Sequence, residues 1–292
     1  MEHLMEARNW YVGYRGGFEL GPLHLPLKSG RILGLVGRNG SGKTTLLESL
    51  VGLIQPFHGE LRVFGSKMKP DDYAWKKELA YVPQIPQFYS RFTVGQYLKF
   101  MAGLFPTWSW ERCRDMVETC RIPLKAKPEA LSKGQRTALA TVAALSHQPR
   151  ILILDEPTAG LDPVIRTKIL DWVLDLVNRQ PDSTVLITTH ILSDIAKIVD
   201  ELAFMIDHTI DTRLDRDQLE DQWRRVTFRH EGPRLKLPGT LEVQRQGDLY
   251  LVLTDQFEIL QEALKLHGIT PRETSKLSLE EAAVHILERS GA

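Results

Sequence analysis

The chain has 292 residues, 42% of them apolar and 25% charged, and its 37 basic side chains balance its 37 acidic ones. That length accommodates one large domain and a small one; with zero net charge nothing suggests a bulk electrostatic grip on nucleic acid or anionic lipid, although a local basic patch is compatible with it. No stretch reaches 18 apolar residues, and the opening MEHLMEARNW lacks the apolar run of a secretory signal; the chain is expected to stay in the cytoplasm and not to cross a membrane by itself.

In chain order, the first segment reads as β-rich: Asn9 to Tyr14, then short alternating pieces broken by Gly16, Gly17, Gly21 and Pro22. An apolar strand, Ile32 to Val36, runs into a glycine cluster and then a helix predicted over about 43–54. The junction, Gly37-Arg-Asn39-Gly40-Ser41-Gly42-Lys43-Thr44, matches the phosphate-binding pattern GxxxxGK[ST]. Phosphate is gripped there by backbone N–H groups, so the loop must curl tightly, and glycine permits those dihedrals without a side chain in the way. The following helix aims its positive end at the same anion. Lys43 supplies a mobile charge to the β and γ phosphates, and the Thr44 hydroxyl can ligate Mg²⁺. The candidate nucleotide-binding residues of this region are Gly37, Asn39, Gly40, Ser41, Gly42, Lys43, Thr44 and Thr45.

From about 94 to 146 the pattern is almost wholly helical, punctuated by Pro106, Pro123 and Pro128, and reads as an insertion between strands. Cys113 and Cys120 fall within it, seven residues apart, too far for a disulfide along one helix, and are expected to be small half-buried apolar groups in a reducing compartment. Next, Arg150-Ile-Leu-Ile-Leu-Asp155-Glu156 is an apolar strand ending in two carboxylates. Beside a phosphate loop, Asp155 can hold Mg²⁺ and Glu156 can face the water that attacks the γ-phosphate. A helix over about 164–178 and a strand over 184–188 complete an alternation that predicts a parallel sheet flanked by helices.

The charged run from Leu214 to Asp221 reads as a solvated helix face. After Arg224, alternating leucines on either side of Gly247-Asp248 predict a hairpin, and helices follow over about 257–267 and 279–288. Ser278 and Glu281 form a capping-box pattern for the second. The expected division is 1–223 for the large domain and 224–292 for a small α/β accessory domain. His3, His24, His58, His147, His230, His267 and His285 form no ligand spacing and are expected on surfaces.

An ordered set of further motifs resembles the ABC ATPases over roughly residues 5–220. Leu131-Ser132-Lys133-Gly134-Gln135, about twenty residues before Asp155-Glu156, is similar to that family's signature; Gln84 in Tyr81-Val-Pro-Gln84 to its Q-loop; Ala159-Gly-Leu-Asp162 to its D-loop; and His190 to its switch histidine. Tyr14 resembles the aromatic that stacks on adenine, with Trp10 and Tyr11 as neighbours that either compete for the place or belong to the core. The resemblance implies an α/β fold: a P-loop NTPase core of ABC ATPase type with a β-rich N-terminal subdomain, a helical insertion over about 94–148 and a C-terminal appendage. It implies ATP and Mg²⁺ as ligands, with catalytic roles for Glu156, His190, Lys43 and Gln84. Thr44, Gln84 and Asp155 would serve the metal, while Tyr14, Ser132, Gly134, Gln135 and Asp162 would contact nucleotide. Ser132 and Gly134 would act on ATP held by a second subunit, a homodimer partner or a close paralogue. Two residues depart from the family: Lys133 and His208 stand where glycine is usual, and His208 is read as a turn residue.

With Phe105-Pro-Thr-Trp-Ser-Trp110 and the small tail carrying Ser278-Leu-Glu-Glu281, the overall pattern also resembles, more loosely, the bacterial ABC-2-type exporter-like subgroup. That resemblance implies a transporter ATPase bound to the inner face of the cell membrane through a separate integral permease, with no nucleic acid partner. The aromatic stretch Ile85-Pro-Gln-Phe88-Tyr89-Ser-Arg-Phe92 would either receive a permease helix or pack the insertion against the core, or both. The alternative from another class is a non-transport ABC ATPase acting on nucleic acid or ribosomes; a third possibility is a regulatory binding module in which the ATPase is a switch. A single phosphate loop and the lack of a long coiled coil argue against the nucleic-acid reading.

Overall fold

The chain opens with two long antiparallel strands, β1 (His3–Gly13) and β2 (Glu19–Lys28), seen here in a computed structural model that describes residues 3–14, 16–69 and 72–289. β1 begins six residues ahead of the expected Asn9, because Asn9 takes a positive φ of 46° and the register slips between Ala7 and Trp10, which breaks the alternation that a sequence reading relies on. β3 (Ile32–Val36) leads to α1 (Lys43–Leu50), then come β4 (His58–Val63), β5 (Ser66–Lys67) and β6 (Leu79–Val82). The helical insertion follows as α2 (Val94–Leu104), α3 (Trp110–Thr119) and α4 (Lys133–Ser146). β7 (Ile151–Asp155), α5 (Pro163–Arg179), β8 (Thr184–Thr189), α6 (Leu192–Ile195), β9 (Glu201–Ile206) and β10 (Thr209–Asp215) complete the large unit's elements.

Two sheets result, with orders β2-β1-β4-β5 and β10-β9-β3-β8-β7-β6. In the second, β3 pairs in parallel with β8 and β9, and β7 with β6 and β8. Every residue of β3, β7, β8 and β9 is buried, as expected for strands covered on both faces. Leu4, Val12 and Leu25 of the first sheet, Leu46, Leu47 and Leu50 of α1, and Leu35, Ile153 and Leu186 of the second share one apolar core. Parallel strands bring their carboxyl ends to one edge of the sheet, and that edge carries the loops after β3, β6, β7 and β8.

Local chemistry sets the helix starts. α2 and α4 open with capping boxes, Thr93 with Gln96 and Ser132 with Gln135, while α5 begins with Asp162 as its cap and Pro163 in its first turn. Cys113 and Cys120 are free and buried, and burial pushes both thiols up, Cys120 to about 11.

One histidine departs from the surface expectation. His147, at the end of α4, is 2% exposed, its ring stacked on Phe105 at 4.1 Å, and burial pushes its pKa down to about 4. The folded protein therefore holds a neutral imidazole where the unfolded chain takes a proton below about pH 6.5. This contribution is complete above that pH and is lost as pH falls toward 4, at about 1.4 kcal/mol per pH unit. Denaturation midpoints measured between pH 7 and 4.5 should fall less steeply in His147→Phe, which keeps an aromatic on Phe105; an equal slope would remove His147 as the cause.

The chain divides between Arg213 and Leu214, ten residues before the expected boundary at 223/224. The reason is α7 (Arg216–Gln222), which buries Leu219 and packs on α8 (Phe257–Leu266) and α9 (Leu279–Arg289) of the second unit. Asp217, Glu220 and Asp221 are exposed as expected, but Arg216 is half-buried, Leu214 is buried in β10 instead of lying on the helix, and Leu219 gives the helix a buried side. The second unit's sheet has the order β12-β13-β11-β14, from β11 (Arg224–Arg229), β12 (Thr240–Gln246), β13 (Leu249–Thr254) and β14 (Glu273–Lys276). The hairpin turns at Gly247-Asp248, with Gln246 opposite Leu249 and Gly247 at φ 65°. Val226, Phe228, Tyr250 and Val252 bury against Leu260 and Leu264 of α8, with the Phe228 and Tyr250 rings stacked at 5.0 Å.

Candidate active site

β3 ends where the glycine-rich loop begins, and the loop's geometry depends on missing side chains. A Cβ on Gly37 would stand 2.7 Å from the Met205 carbonyl oxygen, and one on Gly42, at φ 103°, would stand 2.4 Å from Leu20. Lys43 opens α1 and is only 5% exposed; its Nζ donates to the carbonyls of Gly37 (2.7 Å) and Arg38 (3.0 Å). Burial lowers the Lys43 pKa, with Glu156 and Asp155 opposing that shift. The Ser41 hydroxyl is buried without a hydrogen-bond partner. A side-chain-free cradle, a buried lysine and an unpaired hydroxyl together suit a polyphosphate.

Asp155 sits at the carboxyl end of β7 and is 1% exposed. One of its oxygens accepts from the Thr44 hydroxyl and the other from the Thr188 hydroxyl, both at 2.6 Å. Among the described residues no group of three or more His, Cys, Asp or Glu is placed to hold a metal. One carboxylate beside one hydroxyl fits Mg²⁺, which keeps most of its waters and takes its remaining ligands from substrate phosphates.

Glu156 follows in the left-handed region, at φ 48°, a conformation costly for a side chain of this kind. Its backbone N–H donates to the Thr188 hydroxyl (3.0 Å), which helps hold it there. Its Oε2 receives Gln84 Nε2 and lies against His190 Nδ1, each at 3.1 Å. Lys43, Thr44, Gln84, Asp155, Glu156 and His190 therefore gather at one sheet edge. Thr188 was missed by the sequence reading; its only advance signal was that a parallel register would place it opposite Asp155.

The other sequence-predicted residues lie elsewhere. Ser132 caps α4, its hydroxyl accepting from Gln135 N, while its own backbone N–H donates to Gln135 Oε1, each at 3.1 Å. Asp162 accepts from Val164 N and Ile165 N, each at 3.1 Å, so its carboxylate caps α5. Ser132, Gly134, Gln135 and Asp162 border a separate open cavity of about 870 Å³ whose lining includes no residue of the phosphate loop. Tyr14 is 56% exposed, whereas Trp10 is 4% exposed with its indole N–H on Ser49 at 2.9 Å, so Trp10 belongs to the core. The Tyr11 ring lies tilted toward His58, 6.0 Å between centroids. The aromatic stretch divides: Phe88 contacts Tyr97, while Tyr89, Phe92 and Phe100 form a mutual cluster in which Tyr89 is 60% exposed.

Comparison with known proteins is consistent with this geometry. The family model described as ABC transporter matches residues 20–159. The bacitracin transport ATP-binding protein BcrA of Enterococcus faecalis is 30% identical over 78% of this chain and 74% of its own length. An uncharacterised ABC transporter ATP-binding protein, YxlF of Bacillus subtilis (strain 168), is 33% identical over 71% and 69%. YtrB, an ABC transporter ATP-binding protein of the same organism, is 29% identical over 76% of each chain. Among solved structures, an ATP-binding subunit of an ABC transporter shares the fold, with a TM-score of 0.68 at 24% identity, over 75% of this chain and 92% of that one. No helix among the described residues is long and apolar enough to cross a membrane. This chain belongs to the ABC transporter family, as an ATP-binding subunit that hydrolyses ATP.

Proposed function

We propose that two such subunits, identical or closely related, close on two ATP molecules, and that this closure drives a separate membrane permease. The observation carrying this reading is the separation of the two half-sites: the residues around Ser132 border a cavity that contains nothing of the phosphate loop. The amino end of α4 suits an anion brought by another chain.

Each ATP would lie on Gly37–Thr45, with Asn39, Gly40 and Ser41 lining the cradle, Thr45 in the helix's first turn, and Tyr14 against the base. Lys43 would exchange its loop carbonyls for phosphate oxygens. Thr44 and Asp155, with Gln84 at the margin, would hold Mg²⁺, which when bound supplies positive charge to the phosphate oxygens. Glu156 would accept a proton as the water oxygen bonds to the γ-phosphorus and the bond to the β-phosphate oxygen breaks, releasing ADP and phosphate. Gln84 and His190, both on one oxygen of Glu156, would hold it in line. Gly134, Gln135 and the D-loop around Asp162 would complete the opposite wall, with Lys133 adding charge there.

The exposed Tyr89–Phe92–Phe100 cluster suits a short apolar helix of the permease. Export is the direction that the resemblance to the exporter-like subgroup implies; the smaller unit would be an accessory domain, and the protein would sit at the inner face of the membrane through its permease. Pull-down from detergent-solubilised membranes tests this: a polytopic permease should co-purify, and recovery of rRNA or DNA instead would favour the nucleic-acid alternative.

The cross-subunit claim has its own test. Ser132→Arg places a bulky cation at the amino end of α4, so ATP binding to the single subunit should stay within about twofold while dimer formation and turnover are lost. Light scattering with ATP would follow this, and a fully active dimer would overturn the claim.

A further inference from the structure

His208 stands in the two-residue turn between β9 and β10, where both Asp207 (φ 45°) and His208 (φ 66°) are left-handed. A glycine would satisfy that backbone at lower cost, so the imidazole invites a second reason. Its Nδ1 lies 3.2 Å from the Ser41 carbonyl oxygen in the phosphate loop. Its ring meets Phe18 edge-on at 4.4 Å, and its own carbonyl accepts from Gly21 N at 3.2 Å. Phe18 in turn reaches the space that a Cβ on Gly42 would need, at 2.8 Å, and its carbonyl accepts from Tyr14 N at 2.9 Å. One side chain thus touches both the phosphate loop and the hairpin that carries Tyr14.

The Ser41 carbonyl and the Gly42 N–H belong to one trans peptide plane and point in opposite directions. Holding the carbonyl outward therefore turns the Gly42 N–H the other way. Gly42 has no Cβ to resist rotation of that plane, and an inward carbonyl would face phosphate with its negative end. We propose that His208 is a positioning residue: its Nδ1–H, donating to Ser41, fixes the Ser41–Gly42 peptide so that an amide, not a carbonyl, faces the bound phosphate. This rests on the reading of Gly37–Thr45 as the ATP site.

Three proteins test it: the unaltered chain, His208→Gly and His208→Asn. Glycine keeps the left-handed turn but has no donor, whereas asparagine tolerates the turn and carries an amide donor. Losing one neutral hydrogen bond should weaken binding by about threefold to tenfold. Dissociation constants of ATP and of inorganic tripolyphosphate, without metal, should both rise by that factor in His208→Gly. His208→Asn should return to within about twofold of the unaltered chain, and kcat at saturating ATP should change by less than about twofold in either. Equal binding by the glycine variant overturns the proposal, as does an asparagine variant as weak as glycine. A loss for ATP without a loss for tripolyphosphate overturns it too, since the effect would then lie at the base through Phe18. If the unaltered chain binds neither probe, the ATP site itself is misassigned, an outcome distinct from these.

Discussion

Glu156→Gln should bind ATP within about threefold of the unaltered protein yet lose at least about 100-fold in turnover, the lower range for removing a general base. The substitution is nearly isosteric, and Glu156 is 7% exposed, so the pocket keeps its shape. The amide oxygen can still accept from Gln84 and from His190, which share Oε2 of Glu156. What disappears is the basic carboxylate that takes a proton from water. Binding without cleavage should then accumulate an ATP-bound dimer, visible by size-exclusion chromatography with light scattering. Steady-state phosphate release sets the outcome: unaltered hydrolysis would remove Glu156 as the base.

Lys43→Ala should weaken nucleotide binding by about 10-fold to 100-fold, the scale of a charge-assisted hydrogen bond of 1.5–3 kcal/mol. Lys43 is buried and donates to two carbonyls of its own loop. Its ammonium is already partly desolvated, and its lowered pKa records that cost. A phosphate offers stronger acceptors than those carbonyls, so the exchange on binding is favourable. Because the truncation also removes the ties to Gly37 and Arg38, a melting curve of the variant should accompany titration with a fluorescent ATP analogue. Normal binding by a folded variant would refute the phosphate-loop assignment.

Both expectations trace to features of different legibility. The loop could be read directly, because its demands are local: glycines where dihedrals or close approach exclude a Cβ, a lysine at the first helical position, a buried strand before it. The strands at 151–155 and 184–189 announced themselves as apolar runs, and the hairpin at Gly247-Asp248 by its turn residues. The start of β1 was hidden by the bulge at Asn9, which interrupts the period of two. The burial of His147 has no signal in the sequence, which does not say which end of a helix will be covered; packing against Phe105 decides it.

Contiguous residues were enough to announce the phosphate-binding pattern, the carboxylate pair, the helix caps and the family that the ordered motifs resemble. Three-dimensional packing was needed to bring Gln84 and His190 onto a single oxygen of Glu156, to tie Asp155 to the Glu156 backbone through Thr188, and to assign α7 to the second unit. Turn dihedrals and burial periodicity are properties of neighbouring residues, so they are written in contiguous sequence. Convergence of residues 84, 156, 188 and 190 depends on the lateral order of β6, β7 and β8 and on their parallel register, which is fixed by core packing across the whole sheet.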